Sequence, residues 1–404
     1  MDSIDRCRAC GSGDLEQVID LGQHRLSDFR ETRDEVPAYP LTVVLCGTCG
    51  LAQLTHTVPR DLLYHPRYSF KSGVSEAVRY DLGLVVALAR RFVHDPVSWL
   101  DIASNDGTLL AQVPPDAYRV GIDPLRQFAA EARTHADEIV VSFFDPALFG
   151  GRRFDVVTSV SMFYDLDNPR AFVSGVREVL APGGVWVIQQ NHLVQMIENT
   201  SVDNISHEHL AYYSLETLMP LLSDAGLRVV DVGWSSVNGG CFSVVVTHDD
   251  DYGWKWHAHK RIDMMLRREE RARLRDPRTW HLFNQRVTAE LSKLNNLVMA
   301  ERASGKTFQV YGASTRGGTI WQAAGLTHWD IEAVVDRNPA KVGRWMSAIN
   351  VPIISEVAMR ADPPDYLLVG PWWLRDSFVE REHAYLAAGG RMVFPLPTLE
   401  VVTG

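Results

Sequence analysis

The sequence predicts an α/β protein of three parts: a cysteine-bearing N-terminal module, a central parallel-sheet domain and a smaller C-terminal one. Two paired cysteine turns predict the first part, and hydrophobic strand-like runs alternating with helix-like stretches predict the other two. At 404 residues the chain exceeds what one ordinary core holds. Apolar residues make up 46% and charged residues 22%, the balance of a folded chain. The formal net charge of -10 argues against a long phosphate-binding face, so no nucleic-acid partner is expected. No apolar run approaches membrane-spanning length, and the N-terminal MDSIDRCRACGSG carries no signal-peptide core. The expectation is therefore a cytoplasmic protein without a membrane partner.

Residues 1–75 contain CRAC and CGTC, which place Cys7 with Cys10 and Cys46 with Cys49. Two residues between thiolates let one tight turn present both sulfurs to an ion, and two such turns close a tetrahedral zinc site. Four thiolates leave no open position, so this zinc is structural. Cys241 stands apart and is expected to be buried. Residues 76–250 supply the strand candidates VSWLDIA, YRVGID, EIVVSFF, FDVVTSVSM, GGVWVIQQN, LRVVDVGW and CFSVVVTH. Helical stretches such as SEAVRYDLGLVVALARRFV and NPRAFVSGVREVL lie between them, which implies a mostly parallel sheet covered on both faces. Residues 251–304 form a charged connector rich in arginine and glutamate, read as solvated helix without catalysis but able to carry a dimer contact. Monomer and homodimer both stay open. Residues 305–404 start a second alternation with the strands TFQVYGA, IEAVVDR, PDYLLVG and RMVFPLP.

The stretch WLDIASNDGTLL ends a hydrophobic strand at Asp101 and turns through Ser104, Asn105, Asp106 and Gly107. Doubly wound sheets bind ligands at such carboxyl ends. A dinucleotide turn wants GxGxxG, whereas this turn has one glycine, and its aspartates repel a pyrophosphate. An acidic turn suits a cation bearing an ammonium and a sulfonium. The next strand ends in GIDP, with Asp123 placed to bridge ribose hydroxyls, and VVSFFDPALF offers Phe143, Phe144 and Asp145 to an adenine. Ser161 closes the fourth strand on the cofactor side, and Asn191 closes PGGVWVIQQN on the acceptor side. The ordered set resembles class I S-adenosylmethionine-dependent methyltransferases.

In that setting SVDNISHEHLAYYS places His207, Glu208 and His209 after the fifth strand. Neutral imidazole is a competent base near pH 7, and a neighbouring carboxylate supports the imidazolium. The bland alternative is a helix cap with its histidines satisfied by backbone. The series of paired CxxC turns, DIASNDG, GIDP, HEHLAYYS, NGG, VYGASTRGGT and VVDRNPAKVG resembles the sugar C-methyltransferases of deoxysugar biosynthesis over nearly the whole chain. The resemblance implies a zinc module, a methyltransferase domain and a Rossmann-like domain that helps hold a nucleotide-linked 4-keto-6-deoxyhexose. It also implies that His209 removes the proton beside the ketone with help from Glu208, His207 being the second candidate.

The chain departs from the family pattern at several acceptor-facing positions. A histidine usual after the fourth strand is replaced in MFYDLDNP, where Tyr164 or Asp165 takes its place. Ser206 stands for the tyrosine two before the Glu-His pair, and Asn238 with Gly239 begins NGG where the family has HGG. YSFKSGVS keeps Tyr68 but offers Phe70 and Lys71. These changes point to an altered acceptor, with another ring position or O- or N-methylation as alternatives. In VYGASTRGGT, Ser314 and Arg316 sit at a helix N-terminus that suits a diphosphate, and Asp336 and Arg337 of VVDRNP are placed for ribose or base. A degenerate Rossmann domain that only packs is the plainer reading. A non-catalytic zinc-ribbon protein that senses nucleotides is the reading from another class. A dehydrogenase using VYGASTRGG is weaker, since that run is not GxGxxG.

Overall fold

A computed structural model of the chain describes residues 2–251 and 259–404, so residues 252–258 of the predicted connector lie outside the described residues. Seven strands form the central sheet: β1 (Ser98–Ile102), β2 (Tyr118–Ile122), β3 (Glu138–Val140), β4 (Phe154–Val160), β5 (Leu180–Asn191), β6 (Leu227–Ser235) and β7 (Cys241–His248). Their order is β6-β7-β5-β4-β1-β2-β3. The first five are parallel, and β7 runs antiparallel between β5 and β6. Neighbouring residues of β4 and β5 bury to opposite faces, as a doubly covered sheet demands. Val156, Val185 and Val187 meet Leu82, Val85 and Val86 of helix Glu76–Arg90. Val157, Trp186 and Ile188 meet Phe172, Val173 and Val176 of helix Pro169–Val179. Strand order reverses between β1 and β4, which opens a crevice at their carboxyl ends.

The C-terminal sheet repeats the same parallel order, with Phe308–Tyr311 between Ala333–Val335 and Tyr366–Val369, and a second reversal beside it. Its strand Val351–Ile354 carries Pro352, which disguises it as a loop in the sequence; Pro352 pairs antiparallel with Trp345. The N-terminal module forms an antiparallel sheet from Leu15–Arg25, Ala38–Cys46 and Ala52–Leu54. Two exchanges stitch the parts together. Ala211–Tyr212, from the central part, pairs with Ala52 and Gln53 of the module. In return Phe29–Arg30 of the module pairs with Trp345 and Met346 at the edge of the C-terminal sheet.

The connector does more than face solvent, which corrects the sequence reading. Helix Pro277–Ala303 begins with Asp276 capping the Arg278 amide and Pro277 in its first turn. Trp280, Phe283, Val287, Leu291, Leu294 and Val298 recur at three- and four-residue steps, so one stripe enters the core shared by the outer parts. Its partner helix, His259–Ala272, buries Glu269. That carboxylate accepts the Leu215 and Glu216 amides at 2.7 and 2.8 Å and sits 2.8 Å from His192 Nε2. Among the described residues no helix is long and apolar enough to cross a membrane. Replacing Glu269 by Ala strands two buried amides and an imidazole, so urea unfolding is expected to register a loss of about 2–4 kcal/mol.

Candidate active site

A cavity of about 620 Å³ opens at the crevice between β1 and β4, and all three parts of the chain contribute to its wall. On the sheet side, the turn after β1 puts Ala103, Asn105 and Gly107 at positive φ. A Cβ on Gly107 would lie 2.9 Å from the Ala132 Cα, so this tight turn requires glycine. The turn displays Ser104 and Asn105 to the cavity beside Asp101. Asp101 accepts the Thr158 hydroxyl at 2.7 Å, and burial pushes its pKa up to about 7. The Ser104 hydroxyl has no partner among the described residues. Asp123 is aimed by two backbone amides, Asn105 at 2.9 Å and Leu125 at 2.8 Å. Phe143, Phe144, Asp145 and Ser161 complete this side, with Asp145 also capping the Ala147 amide.

Two members of the predicted cofactor set serve the turn instead. Asp106 faces the protein, where it accepts the Gly73 amide at 2.8 Å and the Thr108 hydroxyl at 2.6 Å. Asn105 Oδ1 adds a bond from the Ser72 amide, so the turn and residues 72–73 are tied together. Neither Asp106 nor Gly107 lines the cavity. An acidic residue in a quoted turn does not reveal which way its carboxylate points.

The HEH stretch divides between two places. His209 lines the cavity with its ring 4.1 Å from that of Tyr164. Its Nδ1–H donates to the Asn204 carbonyl at 2.9 Å, a tautomer that leaves the Nε2 lone pair free. Burial, with Arg316 nearby, holds its pKa down at about 3, so the ring stays neutral. Glu208 shares that wall, and desolvation pushes its carboxyl up to about 7. His207 is turned the other way: its Nε2–H donates to the Tyr39 carbonyl at 3.2 Å, outside the main cavity. Of the two histidines, His209 alone lines the main cavity.

Of the residues expected on the acceptor side, Tyr68, Tyr164, Asp165, Asn191, Asn238, Ser314 and Arg316 line the cavity. Arg316 is already engaged: it donates to the Asn238 carbonyl at 2.8 Å, pairs with the buried Asp203 and lies over the Trp373 ring. Gly239, Asp336 and Arg337 fall outside the lining. Gly239 packs so closely on Trp372 that a Cβ would come within 2.8 Å of the ring. Asp336 accepts the Ala313 and Asn338 amides, and Arg337 is exposed. The motif-based reading missed Asp28, Arg60, His65 and Arg67 of the module, and Lys341, whose Nζ donates to the Ala313 carbonyl at 2.6 Å. Lys341 stands in the quoted run VVDRNPAKVG, but no spacing rule marks it.

Away from the cavity, the sulfurs of Cys7, Cys10, Cys46 and Cys49 all lie within 4.8 Å of one another. The pairs Cys7–Cys49 and Cys10–Cys46 are 3.6 Å apart, close to the ~3.8 Å edges of a tetrahedron with ~2.3 Å zinc–sulfur bonds. Gln53 Nε2 donates to Cys7 Sγ at 3.2 Å, an outer-shell bond that steadies a thiolate. The four residues fit one zinc ion. Cys241 is buried, as expected, with its thiol on the Val237 carbonyl.

Family models match three consecutive segments: a zinc binding domain over residues 7–64, a methyltransferase domain over residues 75–232, and a C-methyltransferase C-terminal domain over residues 236–397. The chain is 29% identical to the C-methyltransferase NovU of Streptomyces niveus, over 99% of this chain and 97% of that protein. The N-methyltransferase NodS of Bradyrhizobium japonicum WM9, solved with S-adenosyl-l-homocysteine, is 17% identical with a TM-score of 0.36, over 47% of this chain and 96% of its own. A methyltransferase of Clostridium acetobutylicum ATCC 824 is 13% identical with a TM-score of 0.35, over 42% of this chain and 92% of its own. Elemental analysis of the purified protein is expected to find one zinc per chain and none in Cys46→Ser. The same variant should melt at a lower temperature than wild type.

Proposed function

We propose that this chain, an S-adenosylmethionine-dependent methyltransferase of the family built from zinc-binding, methyltransferase and C-methyltransferase C-terminal domains, methylates carbon beside the ketone of a nucleotide-linked 4-keto-deoxysugar. The setting would be the biosynthesis of a deoxysugar-bearing natural product. One observation carries the reading: His209 faces the same cavity as the acidic turn, with Nδ1 tied to Asn204 and Nε2 free to accept a proton. The match to NovU, a C-methyltransferase, supports carbon as the acceptor atom.

Asp101, Ser104, Asn105 and Asp123 would hold the cofactor, with the two carboxylates facing its ammonium and ribose ends. When bound, the cofactor supplies an electrophilic methyl on a sulfonium. His209 would take the proton from the carbon, and the ionised Glu208 would stabilise the resulting imidazolium. Tyr64, Tyr68 and Tyr164 wall the acceptor and keep water from the nascent carbanion. The opening of helix Thr315–Ala323, where Ser314 and Thr315 stand on the cavity wall, would offer the Thr315 amide and the positive end of the helix to a diphosphate. Arg316 keeps that helix end in place through Asp203, so we assign it positioning and not direct phosphate binding.

Asp123→Ala is expected to weaken S-adenosylmethionine binding at least about tenfold by calorimetry, since one charge-assisted bond is worth about 1.5–3 kcal/mol. Deuterium wash-in beside the ketone should collapse in His209→Ala; unchanged exchange there removes the base assignment. The pH profile gives a further test. His209 stays neutral far below pH 6, so the acid limb belongs to the buried carboxyls Glu208 and Asp101, each pushed up to about 7. Exchange should therefore rise as pH passes about 7, and that rise should shrink in Glu208→Gln.

A further inference from the structure

Enolate formation needs a second partner that the base cannot supply, a donor aimed at the oxygen where charge accumulates. Of the cationic groups on the wall, Arg316 is held by Asp203 and Asn238, Lys341 by Ala313 and Asp336, and Arg67 by Asp28, while Arg60 lies over the Phe143 ring. Asp165 is different. It lines the cavity on the short turn Phe163–Asp165, next to Tyr164, on whose ring His209 rests. Its Oδ2 accepts the Tyr64 hydroxyl at 3.0 Å, while its buried Oδ1 has no partner among the described residues.

An ionised Asp165 would be a buried anion with one hydrogen bond. The titratable groups that act on it or feel it are Tyr64, Tyr68, Tyr164, Tyr212 and Glu208, and none is a cation at neutral pH. Burial and the neighbouring Glu208 both push its pKa well above the carboxylate range. Two carboxyls sharing one buried site do not both ionise readily, so the charge goes to one and the proton stays on the other. Glu208 titrates near 7, which leaves the proton with Asp165. With Oδ2 occupied by Tyr64, that proton sits on Oδ1.

We infer that Asp165 is a neutral carboxylic acid whose Oδ1–H donates to the ketone oxygen of the acceptor and stabilises the enolate that His209 generates. The inference rests on the carbon-methylation reading above. His209 Nε2 takes the proton, and the C–H electron pair becomes the enolate double bond as charge moves onto the oxygen facing Asp165. The enolate carbon then bonds to the methyl while the carbon–sulfur pair stays on sulfur, and the carbonyl re-forms. Asp165 keeps its proton throughout, and the imidazolium returns its own to solvent.

The test compares wild type, Asp165→Asn and Asp165→Ala in heavy water, with S-adenosylhomocysteine and a panel of nucleotide-linked 4-keto-6-deoxyhexoses. Exchange beside the ketone is expected to fall about 10²–10³-fold in Asp165→Ala, the usual cost of removing one oxyanion donor. Asp165→Asn, which still presents a donor, should retain exchange within about tenfold. Equal S-adenosylhomocysteine affinity and equal melting temperature across the three show that the differences are not misfolding. An amide as slow as the alanine variant overturns the inference, because the carboxylate itself is then required. Full exchange in Asp165→Ala overturns it as well, leaving the methylation reading intact. A wild type that exchanges with none of the panel overturns that reading and this inference with it. Infrared difference spectra supply an arm independent of the acceptor: a protonated-carboxyl band at neutral pH, lost in Asp165→Asn, supports the neutral acid, and its absence from wild type overturns it.

Discussion

The ion pair between Asp203 and Arg316 is the contact on which the site depends. Asp203 is fully buried and Arg316 nearly so, and Trp372 Nε1 adds a third contact at 3.3 Å. Taking two charges out of water costs several kcal/mol per ion, and removing one partner of such a pair costs about 3–5 kcal/mol. Desolvation still raises the Asp203 pKa despite its partner, which marks how dry the place is. A buried pair is weak evidence for stability in general; here its geometry fixes position. Asp203 belongs to the segment that ends in His209, and Arg316 to the first turn of a helix in the C-terminal sheet. Thr319 bonds the Ile205 carbonyl at 2.9 Å from the same helix. The segment carrying the histidine is thereby clamped to a different layer of the protein from the central sheet that carries Asp101.

That arrangement explains why one histidine of the HEH run faces the cavity and the other does not. Asn204, in the clamped turn, offers its carbonyl to His209. Two residues after His209 the chain leaves as Ala211–Tyr212 and joins the module sheet, drawing His207 toward Tyr39. The crowding of proton-handling groups at 207–213 thus reflects three packing surfaces meeting in one short stretch. Tyr212 and Tyr213 are buried, and desolvation raises both phenols above their ordinary value, consistent with neutral packing groups.

Much of this was legible from residue order. The parallel sheet followed from uninterrupted apolar runs such as VWVI in β5, and the position of the acidic turn on the cavity followed from a strand ending near Asp101. The paired CxxC spacing located four sulfurs that the fold brings together. What stayed hidden were directions and distant partners. Asp106 and Asp101 look equivalent in DIASNDG, yet one grips Gly73 and the other faces the cavity. Arg316 reads as a free cation until Asp203, over a hundred residues earlier, is found against it. The stripe of helix Pro277–Ala303 was obscured by the charged positions between its apolar ones. Asp28, His65 and Arg67 reach the site through tertiary packing that no local pattern encodes.

The reciprocal strand exchange has a consequence for any attempt to trim the molecule. Phe29–Arg30 covers the open border of the C-terminal sheet, and the module in turn borrows Ala211–Tyr212. Cutting away the cysteine region would bare two rows of unpaired backbone amides and carbonyls at once, one on each remaining half. Bare borders of that kind recruit strands from neighbouring molecules. A shortened version would be expected to clump before its catalytic competence could be judged, so the cysteine region acts as a solubility guard for the rest of the enzyme.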